Sequence, residues 1–244
     1  MAERYDYVIV GAGSAGCVLA NRLSKNPSNK VCLLEAGPAD WNPLIHIPAG
    51  FVKTLKDPSV NWLFETEPSW GTNGRSIAAP RGKTLGGSSS INGLVFNRGQ
   101  SMDFDTWAQR GNQGWGYADI LPYFKRYETR LGKGSPVYRG KVGEQVITDL
   151  EWRHPLCDAF IQAATDMGIP LNEDYNGVIQ EGISYVQRTS KGRLRHSAAK
   201  SFLNPIKSRK NLNIITHAHT TSVIIEKGRA TGVAFSRGGR HGEE

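Results

Sequence analysis

Tyr7-Val8-Ile9-Val10-Gly11-Ala12-Gly13-Ser14-Ala15-Gly16, with Val31-Cys32-Leu33-Leu34-Glu35 following from position 31, is the stretch whose reading decides the fold. Tyr7–Val10 is a short apolar run of β-forming residues, and it enters a turn of the form G-x-G-x-x-G. Beyond the turn, Ala15, Val18, Leu19, Arg22 and Leu23 recur at i, i+3, i+4, i+7 and i+8, the spacing of a helix. Asn26-Pro27-Ser28-Asn29 stops that helix, and residues 31–34 form a second apolar run ending in an acid. The unit is strand–turn–helix–strand. In such a unit the first glycine (Gly11) makes the tight turn, Gly13 lets backbone approach a pyrophosphate, and Gly16 lets helix and strand pack closely. The start of the helix offers unpaired N–H groups and a partial positive charge to phosphates. Glu35, 19 positions after Gly16, stands where a carboxylate accepts hydrogen bonds from ribose hydroxyls. These residues imply a dinucleotide carrying adenosine; nicotinamide and flavin cofactors share this grip, and the motif does not separate them.

Residues 80–99 narrow the choice. Pro80-Arg81-Gly82-Lys83-Thr84-Leu85-Gly86-Gly87-Ser88-Ser89-Ser90-Ile91-Asn92-Gly93 carries glycine and serine at a density that turns main-chain N–H groups toward phosphate or the polar edge of a ring. Its small side chains let a flat cofactor lie against the backbone. A flexible linker is the competing reading, but Leu85, Ile91, Leu94, Val95 and Phe96 give the stretch apolar anchors that linkers lack.

With these residues in view, the chain resembles the glucose–methanol–choline oxidoreductases, flavoenzymes that oxidise alcohols. The likeness rests on the dinucleotide turn and on Gly82–Gly93, which is similar to the first signature of that family. It extends through Asn61-Trp62, Thr66-Glu67-Pro68, Asp103-Phe104-Asp105, Gly114-Trp115, Asp174-Tyr175-Asn176-Gly177 and Gly192-Arg193, nearly the whole chain. The resemblance implies FAD. By matching position, Gly11, Gly13, Ser14, Ala15, Gly16, Glu35 and Ala36 would hold its ADP half. Gly87, Ser88, Asn92, Gly93, Leu94 and Val95 would lie along its ribityl–isoalloxazine half. Thr220 stands where the family usually has a valine that meets adenine through its backbone, and it keeps that role. The implied reaction takes a CH–OH donor to an aldehyde or ketone, with hydride passing to flavin N5.

Two departures shape the expectations. Some members bond FAD covalently through a histidine of the signature loop; Ile91 occupies that position, and an alkyl side chain has no nucleophilic nitrogen, so FAD is expected to be dissociable. The family's second signature, and the C-terminal His–Asn or His–His pair that acts as base and alcohol-positioning group, are not among the 244 residues. The chain is therefore read as the N-terminal, truncated part of such an enzyme, with no catalytic residue of its own and no activity in isolation. A non-catalytic FAD- or ADP-binding fragment and a nicotinamide-dependent dehydrogenase are the alternatives, and Gly86–Gly93 argues against the second. Without a strand returning beside Tyr7–Val10, weak FAD affinity and self-association are expected.

Composition bounds the remaining classes. Cys17, Cys32 and Cys157 are odd in number and scattered, which fits free thiols and a reducing cytoplasm. No run reaches the roughly 18–20 apolar residues of a membrane helix. The net charge of +8 lies wholly in residues 180–244, where twelve Lys/Arg face four Glu. Tyr185, Phe202 and Phe235 are too few aromatics to make this basic stretch a nucleic-acid surface. His217 and His219 share a strand face, but no third ligand accompanies them for a metal. His46 has a slim claim on substrate, and His196 one on a phosphate.

The fold class expected is α/β, α+β overall: a Rossmann-like FAD-binding βαβ core with an antiparallel hairpin and part of a substrate domain. Residues 1–39, 80–100 and 195–244 are assigned to the FAD-binding domain, and 40–79 with 101–194 to a cover segment and a partial substrate-side domain. Within these, 40–80 is expected to be irregular, with Ile47–Phe51 as a cover, and 129–145 to be loop. Helices are expected over 119–128, 154–167 and 198–203, the second burying Leu156, Phe160, Ile161 and Ala164. Strands are expected over 183–189 and 212–216, with a hairpin of 221–226 and 230–235 across Lys227-Gly228-Arg229.

Overall fold

The computed structural model describes residues 3–238 and 240–243, the last four through their backbone alone. Two compact units emerge from the contacts: residues 1–93 with 193–244, and residues 94–192. Residues 40–79 thus belong with the glycine turn, while 94–100 fall in the second unit.

The first unit is built on the strand–helix–strand of the opening motif. Strand β1 (Tyr7–Val10), helix α1 (Ser14–Leu23) and strand β2 (Val31–Leu34) follow one another, and the strands pair in parallel with Tyr7 opposite Val31 and Val10 opposite Leu34. The strand Leu212–Ile215 joins the other side of β2, also parallel, with Val31 opposite Leu212. All four residues of β2 are therefore buried, as a central parallel strand requires. Among the described residues β1 has a strand on one side only.

Helix α1 buries Gly16, Cys17, Ala20 and Asn21, while Leu19 is 48% exposed. The expected stripe of larger residues is rotated. Small residues face the sheet because the helix lies close to it: a Cβ on Gly16 would stand 2.0 Å from the Gly11 carbonyl oxygen. Asn21 then donates from Nδ2 to the Phe202 carbonyl at 2.8 Å, fastening α1 to the π-turn Ala199–Leu203 that stands where a short helix is expected. Cys17 and Cys32 are fully buried and outside any disulfide, as expected, and burial pushes the Cys17 thiol up to about 12.

Against the sheet packs an antiparallel ribbon of His219–Glu226 and Arg229–Arg237, extended by Arg240–Glu243. Cys32, Leu34, Ala218, Val233 and Phe235 form the core between sheet and ribbon. The hairpin turn is the two residues Lys227-Gly228, at φ 50° and 77°, not the three expected; Arg229 already pairs with Glu226. Segment 40–80 is more ordered than expected. It holds helix α2 (Pro43–His46), a 3-10 turn Pro48–Gly50, a helical turn Phe51–Thr54 and a ribbon of Phe64–Glu65 with Ala78–Ala79. Ile45, Val60 and Ile91 form its buried cluster.

In the second unit, helices Ser101–Gln109, Tyr117–Tyr127 and Pro155–Asp166 accompany a parallel pair of strands, Glu128–Leu131 with Gln145–Thr148. That pair corrects the two ends of the loop expected over 129–145, while 132–144 forms no strand, as expected. Residues 183–189 form no strand; Ile183 and Arg188 make isolated bridges. On Pro155–Asp166 only Ala164 is buried, whereas Leu156 and Phe160 are 74% and 71% exposed. Periodicity marks a helix's apolar face without specifying what covers it. The centre of this unit is ionic. Glu128, fully buried, receives Arg98 at 2.6 Å and a bidentate Arg139, which also pairs with Asp174.

Candidate functional site

The two glycine-rich bends meet. The Gly86 N–H donates to the Ala12 carbonyl at 2.7 Å, and a Cβ on Gly87 would lie 2.7 Å from the Gly13 Cα. Only glycine fits at such an approach, so the second bend is seated on the first by backbone alone. A cavity of about 470 Å³ opens beside this junction. Eight of the residues expected to bind cofactor line it: Gly11, Gly13, Ser14, Glu35, Ala36, Gly87, Ser88 and Thr220.

Helix α1 begins at the cavity. Its N-cap is Gly13, with no side-chain cap and no acid in the first turn, and its first intrahelical donor is the Cys17 N–H to the Gly13 carbonyl. The N–H groups of Ser14, Ala15 and Gly16 precede the first bond of the helix, and the helix dipole adds positive potential. Ala15 and Gly16 stand behind the lining, within the first turn. At Gly13, as at Gly11, no atom lies within 4 Å of where a Cβ would be.

Glu35 does more than wait for a ligand. Its Oε2 accepts from the Ala12 N–H at 2.8 Å and its Oε1 from the Gly37 N–H at 2.9 Å. The carboxylate therefore ties the end of β2 to the glycine turn, and each oxygen keeps a further lone pair. Burial raises its pKa above the ordinary glutamate range, and the two backbone donors oppose that rise.

The cavity has walls that the sequence did not single out as a site. Trp62 stacks on Phe64 with centroids 5.7 Å apart and receives the edge of His219 at 5.4 Å, while the Lys83 ammonium sits 4.7 Å over its ring. Trp62, Arg81 and His219 line the cavity. Asn61-Trp62 lay within the family resemblance, but nothing local to the sequence ties His219 to a tryptophan over 150 positions away. No cluster of potential metal ligands occurs among the described residues. His46 Nε2 lies 2.7 Å from the Asp40 carbonyl and His196 Nδ1 lies 3.0 Å from Ser201 Oγ. Neither lines the cavity, nor does the segment Ile47–Phe51 expected to cover it.

Asn92 and Gly93 lie past the 3-10 turn Gly87–Ser90, outside the lining, and both are exposed. Leu94 and Val95 open the second unit; Leu94 is buried with its carbonyl accepting from Thr189 N, and Val95 is 55% exposed. A residue absent from sequence reasoning holds the Asn92 stretch in place. Arg195 donates from Nε to the Ile45 carbonyl at 2.7 Å, from Nη1 to Asn92 Oδ1 at 2.8 Å and from Nη2 to the Asn92 carbonyl at 2.7 Å.

Three features suit an elongated nucleotide: the unbonded N–H groups at the start of α1, the spare lone pairs of Glu35, and the Thr220 hydroxyl. Thr220 Oγ1 is buried in the cavity wall with no hydrogen-bond partner among the described residues. Residues 5–244 match the model of a protein family described as GMC oxidoreductase. The chain belongs to this family. Among its relatives, an alcohol dehydrogenase [acceptor] of Pseudomonas putida is 47% identical over 237 residues, covering 97% of this chain and 43% of that protein. An oxygen-dependent choline dehydrogenase of Sinorhizobium fredii is 44% identical over 235 residues, 96% of this chain and 42% of the relative. Of solved structures, pyridoxine 4-oxidase from Mesorbium loti superposes with a TM-score of 0.93 at 32% identity, over 98% of this chain and 47% of that one. An FAD-dependent oxidoreductase from Chaetomium thermophilum follows at TM-score 0.88 and 25% identity, over 99% and 44% of the two chains. This GMC oxidoreductase chain thus spans less than half the length of the relatives it matches.

Proposed function

We propose that the chain is the FAD-binding portion of an oxidoreductase that oxidises alcohols. The observation that supports it most is the contact of the two bends, Gly86 N–H to Ala12 and Gly87 against Gly13, beside one cavity. In this reading the N–H groups of residues 14–16 hold the diphosphate, and Glu35 accepts from ribose hydroxyls. Thr220 and Ala36 bound the adenosine end, while Ser88, Asn92, Gly93, Leu94 and Val95 lie along the flavin end. FAD supplies the hydride acceptor. The protein's own task is to hold that acceptor flat against small residues and to keep its diphosphate out of water.

Ile91, 1% exposed and packed with Ile45 and Val60, offers no atom for a covalent link, so the FAD is dissociable. The chemistry fits a small-molecule alcohol as donor, in keeping with the alcohol and choline dehydrogenases among the relatives. No helix among the described residues is long and apolar enough to cross a membrane. Three cysteines outside any disulfide support a reducing cytoplasm as the protein's location.

Reconstitution tests the reading. Titration of the apoprotein with FAD should quench flavin fluorescence saturably but with weak affinity, and titration with NAD should show no saturable change. Acid precipitation should leave the flavin in the supernatant. Saturable binding of NAD with none of FAD would overturn the assignment.

A further inference from the structure

Arg195 is an unusual cation for its surroundings. It is 2% exposed, and its guanidinium donates only to neutral oxygens: the carbonyls of Ile45, Ser89 and Asn92, and the side-chain oxygen of Asn92. No carboxylate among the described residues forms an ion pair with it. A buried charge without a counter-charge is costly, and proteins retain one mainly where something else pairs with it. The buried arginines of the second unit make the contrast, since Arg98, Arg130 and Arg139 each have a carboxylate. Burial pulls the Arg195 guanidinium down to about 10, which leaves it charged at neutral pH.

Its position is as particular as its charge. Five N–H donors in a rigid fork suit the array of carbonyls around residues 89–92, an array that an ammonium could meet only in part. Through it the stretch Ser89–Asn92 is held against Ile45 at the end of α2. Removing the fork would leave those carbonyls without their donors inside the fold.

We propose that Arg195 is the positioning residue of the flavin end of the site, and that its uncompensated positive charge makes the protein hold reduced flavin more tightly than oxidised flavin. This rests on the FAD reading above, in which Asn92 and Gly93 lie along the isoalloxazine. A hydride from the alcohol carries two electrons and one proton to the flavin, while the alcohol's hydroxyl proton is released to water. The carbinol C–H bond breaks, a bond forms at flavin N5, and the flavin gains one negative charge. That charge is the counter-charge Arg195 lacks, and it exists only after hydride transfer.

The test uses the full-length holoprotein and its Arg195→Met and Arg195→Lys variants, with two measurements. One is the dissociation constant for oxidised FAD, by fluorescence titration. The other is the two-electron reduction potential, by equilibration with reference dyes. Arg195→Met should weaken oxidised FAD and weaken reduced FAD at least tenfold more, a fall of about 30 mV or more for a two-electron couple. Arg195→Lys should restore most of the potential while binding stays weak, because it keeps the charge and loses the fork. Equal weakening of both redox forms, or a lysine that fails to restore the potential, would overturn the electrostatic role. The wild type supplies a measurement independent of any variant's folding. If reduced flavin stays anionic, its potential falls about 30 mV per pH unit across neutrality, one proton per two electrons; twice that slope overturns the proposal. A wild type that binds no FAD sinks the cofactor reading itself, which the potentials of an FAD-loaded protein cannot do.

Discussion

Gly16 and Gly13 sit three residues apart and do different work, which substitution should separate. A methyl on Gly16 would meet the Gly11 carbonyl at 2.0 Å, backbone against backbone, while one on Gly13 would meet nothing within 4 Å and project at the cavity. Gly16→Ala should cost about 3 kcal/mol or more in urea unfolding, because overpacked backbone has little freedom to yield. Gly13→Ala should leave the unfolding midpoint nearly unchanged and cut FAD affinity; loss of stability in both would show that the turn tolerates no side chain at all. Glu35 carries the pH dependence of this corner. Its folded pKa is raised, so the contribution of its neutral form is present below the ordinary glutamate value of about 4.3 and is lost as pH rises through the higher folded value. Relative to Glu35→Gln, the apoprotein should therefore lose stability as pH climbs above about 4.3, on top of a constant offset for the backbone N–H the amide cannot serve. A difference flat with pH would show that Glu35 titrates normally.

At the scale of elements, the hairpin of the first unit departs from the favoured turn chemistry in one place. Lys227 and Gly228 both have positive φ, the geometry of a type I′ turn, for which Asn-Gly is the preferred pair. Lys227→Asn should raise stability by about 0.5 kcal/mol, read as a higher thermal midpoint, since asparagine visits the left-handed region at lower cost. A lower midpoint would mean the lysine makes a contact that outweighs its strain. Among other elements, β1 and β2 were legible because parallel strands and a glycine turn write a local pattern. The pair Glu128–Leu131 and Gln145–Thr148 was not. Glu128 and Arg130 are strand residues buried in ion pairs, so the stretch reads as polar loop until its partners are known.

Across the whole molecule, the two units rest on different physics, and their responses should differ. The first has an apolar core between sheet and ribbon, and by the FAD reading gains stability from the cofactor through mass action. The second has Glu128 buried between two guanidiniums. Glu128→Gln should destabilise the second unit by about 3–5 kcal/mol, as expected when one member of a buried ionic cluster is neutralised. Unfolding followed by tryptophan fluorescence should show two transitions, one moved by FAD and the other by this substitution. A single transition moved by both would mean that the units unfold as one.

By itself the amino-acid order determined the βαβ unit, the buried thiols, the family and the residues of the first bend, because each depends on neighbours a few positions away. Tertiary structure decided what distance along the chain conceals. It seated Gly87 on Gly13, set His219 against Trp62, and brought Arg195 to the carbonyls of Ile45 and Asn92. It also chose which face of α1 is buried and left Leu156 and Phe160 exposed. Periodicity records that a side chain is apolar, but burial depends on what the remainder of the chain places opposite it.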